Sequence, residues 1–182
     1  MKGRDKLLED VGGIPLLRRQ VLMAQDTGQP VYVALPPASD ARQKAMAGLK
    51  ASIITIPDAA DGMSTTMRSA VAALPNAPAF MITLGDLVTL ETSDFLAVIK
   101  ARAAHPDHLI WRGATAEGKP GHPILFDASL RSRFAHLAGD SGGESIVKPR
   151  RNETYLVTLP DHRARIALAT PAAWAAWRAS NS

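Results

Sequence analysis

The sequence contains no cysteine, and this absence excludes disulfide bonds, thiolate metal sites and a cysteine nucleophile. It also lacks any apolar stretch that approaches the roughly 20 residues of a membrane-spanning helix. The first residues, MKGRDKLLEDVGG, do not contain the apolar core of a secretory signal peptide. These absences predict a cytoplasmic protein without a membrane partner.

A strong charge of one sign is also missing. The formal net charge is +4, and lysine and arginine are scattered through the chain, so that residues 148–151 (Lys-Pro-Arg-Arg) form the one compact basic cluster. No aromatic residue interleaves with this cluster, which favours a solvated turn over a nucleic-acid patch. We therefore expect no nucleic-acid partner.

The pattern that is present alternates short apolar runs with helical spacing. The 182 residues, 46% of them hydrophobic, suffice for one domain with a substantial core, which we place at residues 1–182. Strands and helices that alternate along a chain are typical of crossover units around a parallel sheet, so we predict an α/β fold. Helices are predicted at 14–22, 40–49, 62–74, 93–104, 127–137 and 172–179, and strands at 31–35, 53–56, 79–84, 153–159 and 165–169.

The region after residue 111 has a different character. Residues 113–121 form a polar segment with glycine at both ends, and residues 139–143 (Gly-Asp-Ser-Gly-Gly) form a glycine-rich loop. Irregular loops of this kind are more often binding loops than simple connections. Near the end of the chain, Thr170 and Pro171 have the types expected of a helix N-cap and a first-turn proline.

The stretch Met-Ile-Thr-Leu-Gly-Asp-Leu at residues 81–87 organises the chain. Its apolar part predicts a strand that is buried on both faces, and the strand ends at Gly85 and Asp86. Ligands of open α/β sheets collect beyond the carboxyl ends of the strands, so Asp86 is well placed for chemistry. The alternative, a helix cap or turn aspartate, is equally compatible with the spacing.

Five segments, in the same order along the chain, resemble motifs of one enzyme family. Residues 1–8 (MKGRDKLL) resemble the second half of an opening signature, in which Leu-Ala-Ala-Gly-x-Ser-x-Arg-Met precedes a lysine and leucines. The others are 62–68 (GMSTTMR), 85–86 (GD), 121–126 (GHPILF) and 139–143 (GDSGG). Together they resemble the molybdenum cofactor cytidylyltransferase and molybdopterin-guanine dinucleotide synthase group of nucleotidyltransferases.

This resemblance implies a single-domain, three-layer, Rossmann-like fold with a mostly parallel, mixed sheet that lacks the usual first strand. It implies transfer of a nucleoside monophosphate, CMP from CTP or the corresponding group from GTP, to a phosphorylated acceptor such as molybdopterin, with release of pyrophosphate. Mg²⁺ would be the cofactor. A molybdoenzyme or its chaperone would be a further partner.

The resemblance also implies roles for individual residues. Lys6 and Asp86 would be catalytic, and Asp86 would bind the metal. Lys6 would also bind the nucleotide, while the acceptor would contact His122 and Asp140. The remaining nucleotide-binding candidates are Gly62, Ser64, Thr65 and Arg68. Each of these residues also has a structural alternative, such as a solvated lysine, a helix cap, a surface ion pair or a turn.

Two departures from the family pattern keep other functions open. Met1 stands where the methionine of the opening signature would be, so we expect the central strand and the phosphate-binding loop to be missing, through a misread start or through decay. Residues 167–173 (Ala-Leu-Ala-Thr-Pro-Ala-Ala) lack the carboxylates of the usual Asp-x-Asp-Thr-Pro-Glu-Asp ending. A degenerate, non-catalytic nucleotide-binding or regulatory module and a sugar-phosphate nucleotidyltransferase are therefore alternatives.

Overall fold

A computed structural model describes residues 5–139 and 142–180 of the chain. The α-helices are α1 (Leu16–Gln25), α2 (Asp40–Ala45), α3 (Met63–Ala73), α4 (Thr92–Ala104), α5 (Arg131–Phe134), α6 (Glu144–Val147) and α7 (Pro171–Ser180). The strands are β1 (Asp10–Val11), β2 (Ile14–Pro15), β3 (Val31–Leu35), β4 (Ala51–Thr55), β5 (Ala79–Ile82), β6 (Ile110–Ala114), β7 (Pro120–Asp127) and β8 (Thr154–Thr158). Short 3₁₀ helices occupy Lys6–Leu8, Ala59–Asp61, Ala128–Leu130 and Lys148–Glu153.

Two separate sheets form the framework. β3 and β4 pair in parallel, and the other sheet has the order β5-β7-β6-β8. In the four-stranded sheet β6 and β8 are parallel, whereas β7 is antiparallel to both of its neighbours. The predicted mixed α/β sheet is thus confirmed. β1 and β2 pair with each other, so the described residues before α1 add no strand to either of these sheets.

The four-stranded sheet is covered on both faces, which gives three layers. Successive residues of a strand point to opposite faces. Ile124 and Phe126 of β7 accordingly pack with Val71 of α3 and with residues of α5 and α6. Leu125 of β7 lies in a second cluster with Val98 and Ala101 of α4. The β3–β4 sheet has its own core with α1.

Helix α1 packs on the β3–β4 sheet and reaches the segment that follows β5. Its Leu17 and Val21 pack with Leu35 of β3 and with Leu7. Leu17 also approaches the end of β5, where a Cβ atom added to Gly85 would lie 3.8 Å from its side chain. The helix therefore connects the β3–β4 sheet to the segment that follows β5.

The starts of α4 and α7 follow the capping rules. A capping box, formed by Glu91 and Asp94, begins α4. The Oγ1 atom of Thr170 accepts a hydrogen bond from the backbone N–H of Ala173 at 3.1 Å, which confirms the predicted helix start at α7. Trp174 of α7 is buried in a cluster with Leu168.

Several predicted elements were wrong in detail. β5 has four residues, all only half-buried, because it lies at one end of its sheet and pairs with β7 alone among the described strands. Residues 113–121 are not an irregular loop: β6 and β7 extend into them and leave a turn at 115–119. The helix predicted at 127–137 is divided into a 3₁₀ turn and α5.

The strand predicted at 165–169 does not form. This segment makes one isolated bridge, between Leu87 and Ala167. Leu168 packs instead against α7, so this residue is buried without a strand ladder. None of the described helices is both long and apolar enough to cross a membrane.

Candidate active site

Lys6 and Asp86 meet beyond the carboxyl end of β5. The Nζ atom of Lys6 donates a hydrogen bond to Oδ2 of Asp86. The Asp86 side chain is 16% exposed, and its other oxygen, Oδ1, is buried and has no hydrogen-bond partner among the described residues. A buried carboxylate oxygen without a partner is rare in folded proteins and is a suitable ligand for a cation.

The turn that carries Lys6 is fixed by the preceding residue. Asp5 caps the 3₁₀ helix by accepting from the Leu7 backbone N–H at 3.1 Å. It also accepts from Nε and Nη2 of Arg42, on α2, at 2.6 and 3.2 Å. Burial alone would raise the pKa of the Asp5 carboxyl, but these hydrogen bonds and the charge of Arg42 together lower it.

The segment after Asp86 is held by α1. Arg19 donates from Nη1 to the carbonyls of Val88 and Leu90, both at 3.1 Å. Gln20 is buried and donates from Nε2 to the Leu87 carbonyl at 2.5 Å. Because these contacts restrain the three carbonyls, the backbone that carries Asp86 has a defined position.

His122 lies at the same end of the sheet. Its backbone N–H donates to the Ala164 carbonyl at 2.9 Å, and its Nδ1 atom is buried without a partner in the described part of the chain. Burial lowers the pKa of the His122 ring, and the charge of Arg112 acts in the same direction, whereas the carboxylates of Glu144 and Asp86 and a hydrogen bond with the Ile82 backbone raise it. The imidazole is therefore neutral at pH 7, with one nitrogen that can accept a proton.

The start of α3 contacts the residues that lead into the glycine-rich loop. Gly62, the N-cap, has a φ of 107°, a conformation that favours glycine. Ser64 and Thr65 are buried, and Ser64 Oγ donates to the Ala138 carbonyl at 3.4 Å. Arg68 donates from Nη1 to the Leu137 carbonyl at 2.8 Å and from Nη2 to Thr65 Oγ1 at 3.4 Å.

The predicted site residues thus fall into two groups. One contains Lys6, Asp86 and His122, and the other contains the α3 residues that hold residues 137–138. Asp140 lies outside the described residues. Within residues 5–139 and 142–180, no group of three or more histidine or carboxylate side chains could hold a metal ion. Asp86 is a candidate ligand because its Oδ1 atom is buried without a partner in the described residues.

Sequence reasoning missed Arg112, on β6. The arginine is buried, donates from Nε to the Gly121 carbonyl at 2.8 Å and forms an ion pair with Glu144 at 2.6 Å. A signal was present, because a charged residue between Trp111 and Gly113 interrupts an otherwise apolar strand. Its partner could not be read from the sequence, since the two are 32 positions apart.

Comparison with known proteins identifies the family. The model of the MobA-like NTP transferase domain matches residues 1–155. The chain belongs to this family. No curated protein sequence matches this nucleotidyltransferase chain.

Solved structures support the same fold. Rv0371c from Mycobacterium tuberculosis H37Rv has a TM-score of 0.82 at 21% identity, over 99% of this chain and 90% of that one. The same protein in complex with manganese gives 0.79 at 23% identity, over 97% and 91%. CMP:2-keto-3-deoxy-manno-octonic acid synthetase complexed with CTP gives 0.75 at 12% identity, over 97% and 91%. At these identities the likeness establishes a shared fold.

Proposed function

We propose that this nucleotidyltransferase transfers CMP from CTP to a phosphorylated acceptor such as molybdopterin and releases pyrophosphate. The observation that carries the proposal is the contact between Lys6 and Asp86, which are 80 positions apart in the sequence. They converge beyond the carboxyl end of a strand, where open α/β sheets bind their ligands. A cation and a carboxylate at this place suit a triphosphate that enters with a divalent metal ion.

Asp86 would hold the metal ion, for which we propose Mg²⁺. Mg²⁺ prefers one or two protein carboxylates and takes its other ligands from substrate phosphates and water, so one carboxylate with an unpartnered oxygen fits it. When bound, the ion would neutralise charge that develops on the transferred phosphoryl group. Lys6 would stabilise the triphosphate as a point charge, and it would exchange Asp86 for phosphate oxygens.

The other candidates would orient the two substrates. Gly62, Ser64, Thr65 and Arg68 would shape the nucleotide side through the start of α3. Because its ring is neutral, His122 would accept a hydrogen bond from the acceptor, and Asp140 would contribute from the glycine-rich loop. A molybdoenzyme or its chaperone would receive the product.

Replacement of Asp86 tests this proposal. In Asp86→Asn, pyrophosphate release from CTP or GTP in the presence of molybdopterin and Mg²⁺ should fall by about 10²–10³-fold, the usual loss when one transition-state contact is removed. Asp107→Asn, at an exposed position, is the matched control and should keep its rate. If Asp86→Asn folds normally and also retains the full rate, the site assignment is wrong.

A non-catalytic nucleotide-binding module is the second candidate. It is favoured by the start of α7, where alanines follow Pro171 and the first turn contains no acidic residue. This candidate predicts saturable CTP binding without pyrophosphate release for any acceptor. Sugar phosphates should be included among the acceptors, because release with a sugar phosphate and not with molybdopterin would assign the enzyme to that substrate class.

A further inference from the structure

Arg112 is an arginine whose burial needs an explanation. It is 8% exposed on β6, whereas its ion-pair partner Glu144 has a side chain that is 42% exposed. Moving a guanidinium out of water costs several kcal/mol unless the group is well paired, and a partner that remains largely in water compensates only in part. A buried arginine whose carboxylate partner remains largely in water is typical of a residue that binds an anionic ligand.

The guanidinium is also held in one orientation. Its Nε donates to the Gly121 carbonyl at 2.8 Å and its Nη2 donates to Glu144 at 2.6 Å. No described residue accepts a hydrogen bond from Nη1. Because the planar fork is already oriented, little side-chain entropy would be lost when it binds an anion.

Arg112 lies beside the proposed acceptor side of the site. Its Nε atom donates to the carbonyl of Gly121, the residue before His122, and Arg112 pairs in the β6–β7 ladder with Ile124, two residues after His122. The nearby cations of the nucleotide side are engaged elsewhere: Lys6 donates to Asp86, and Arg68 donates to the Leu137 carbonyl. Among these three cations Arg112 is the buried one, and its partner Glu144 is a largely exposed carboxylate.

We propose that Arg112 binds the phosphate monoester group of the acceptor, and that Glu144 pairs with its guanidinium until the acceptor phosphate replaces it. This proposal rests on the proposed function, since it assigns the acceptor end of the same site. Arginine matches phosphate through parallel N–H donors, and Glu144 offers the same guanidinium only one carboxylate contact. Glu144 would then favour a doubly charged phosphate over weaker anions.

Calorimetric titration with inorganic phosphate tests the assignment. In Glu144→Gln the phosphate Kd should fall about three- to tenfold, because the competing carboxylate is gone. In Arg112→Gln the Kd should rise at least about tenfold, and Arg112→Lys should recover only part of this loss because it lacks the planar fork. Glu153→Gln is the matched control, since Glu153 also pairs with an arginine, Arg150, and should leave the Kd unchanged.

Two results would overturn the proposal. The first is an unchanged phosphate Kd in Glu144→Gln together with a lower melting temperature, which would make the pair purely structural. The second is a phosphate Kd that responds to Lys6→Met but not to Arg112→Gln. If Arg112→Gln does not fold, the Glu144→Gln titration decides alone.

CTP binding distinguishes failure of the Arg112 assignment from failure of the proposed function. The Kd of CTP should change less than about twofold in Arg112→Gln, and a loss of CTP affinity equal to the loss of phosphate affinity would also overturn the acceptor assignment. Failure of the proposed function looks different: no acceptor releases pyrophosphate, while phosphate still binds in an Arg112-dependent way.

Discussion

At the scale of single residues, the site depends on side chains that hold other side chains. Lys6 reaches Asp86 from a turn that Asp5 caps, and Asp5 is itself held by Arg42 of α2. Gln20 fixes the carbonyl of the residue after Asp86. The positions of the candidate catalytic groups are therefore set from α1 and α2, outside the four-stranded sheet.

Arg42→Ala should reveal the contribution of the Asp5 pair. The pKa of Asp5 is lowered in the folded protein, so the pair stabilises the fold above the unfolded pKa of about 3.8 and loses this effect as the pH falls. Because both side chains are partly exposed, we expect a loss of roughly 1 kcal/mol at pH 7. Urea unfolding of both proteins from pH 7 to pH 3 measures the difference, which should shrink below pH 4.

Arg42→Lys serves as the control for this experiment. It keeps the charge but loses the two-pronged contact with Asp5, so its stability should lie between those of the wild type and Arg42→Ala. A difference between wild type and Arg42→Ala that stays constant down to pH 3 would contradict the role given to the Asp5 carboxylate.

At the scale of elements, the hairpin of β6 and β7 packs closely against its surroundings at two glycines. A Cβ atom at Gly113 would lie 2.5 Å from the His122 carbonyl oxygen, and one at Gly121 would lie 2.2 Å from the Ala164 carbonyl oxygen. Neither glycine has a positive φ, so these positions require glycine for space. These close contacts position the backbone of His122 and the Gly121 carbonyl that accepts from the Arg112 guanidinium.

Alanine substitutions test this packing. Gly121→Ala should destabilise the protein by about 2–3 kcal/mol, the range expected of overpacking against groups that cannot move aside. Gly118→Ala, in the turn of the same hairpin, has open space around it and should cost only about 1 kcal/mol, through its φ of +78°. Urea midpoints of the two variants give the comparison, and equal losses would show that space at Gly121 is not limiting.

This hairpin also shows where sequence reasoning succeeds and fails. Helical spacing located α1, which buries Leu16, Leu17 and Val21, and the Thr170–Pro171 start located α7. Gly113 and Gly121 were interpreted as the ends of a loop. The sequence does not distinguish a glycine that is needed for close backbone approach from one that is needed for a turn. Residues 165–169 resembled a strand in the sequence because an alternating pattern of residues indicates which side chains are buried. A side chain can be buried without backbone hydrogen bonds to a neighbouring strand.

The site was predictable only in part for a related reason. Asp86 could be identified as a strand-end carboxylate from its own neighbours, and Lys6 entered through the resemblance to a family. The contact between them, like that between Arg112 and Glu144, joins distant segments and follows from the fold. No local pattern carries such information.

At the scale of the whole molecule, we expect the β3–β4 sheet to be less stable against local opening than the four-stranded sheet. The four-stranded sheet has packed helices on both faces, whereas β3 and β4 form a two-stranded sheet with a smaller core. Two-stranded sheets are only marginally stable by themselves. We therefore expect β3 and β4 to open more often than β6 and β7.

Native-state hydrogen exchange measures this difference. Backbone amides of β3 and β4 should exchange at least about tenfold faster than those of β6 and β7, because a local opening exposes them without global unfolding. Amides of α1 should be intermediate, since the helix packs on both sides. Uniform protection across the two sheets would show that the molecule opens as a single cooperative unit.

The small sheet has one more consequence, which concerns behaviour at high concentration. β4 pairs only with β3 among the described strands, and Ile53 on it is 41% exposed. An edge strand with apolar side chains can template the addition of a strand from a neighbouring chain, which is the first step of aggregation. Lys50 precedes this strand and Pro57 follows it closely, and residues of these two types flank aggregation-prone strands as gatekeepers. We therefore expect the colloidal stability of the protein to depend on Lys50 and Pro57.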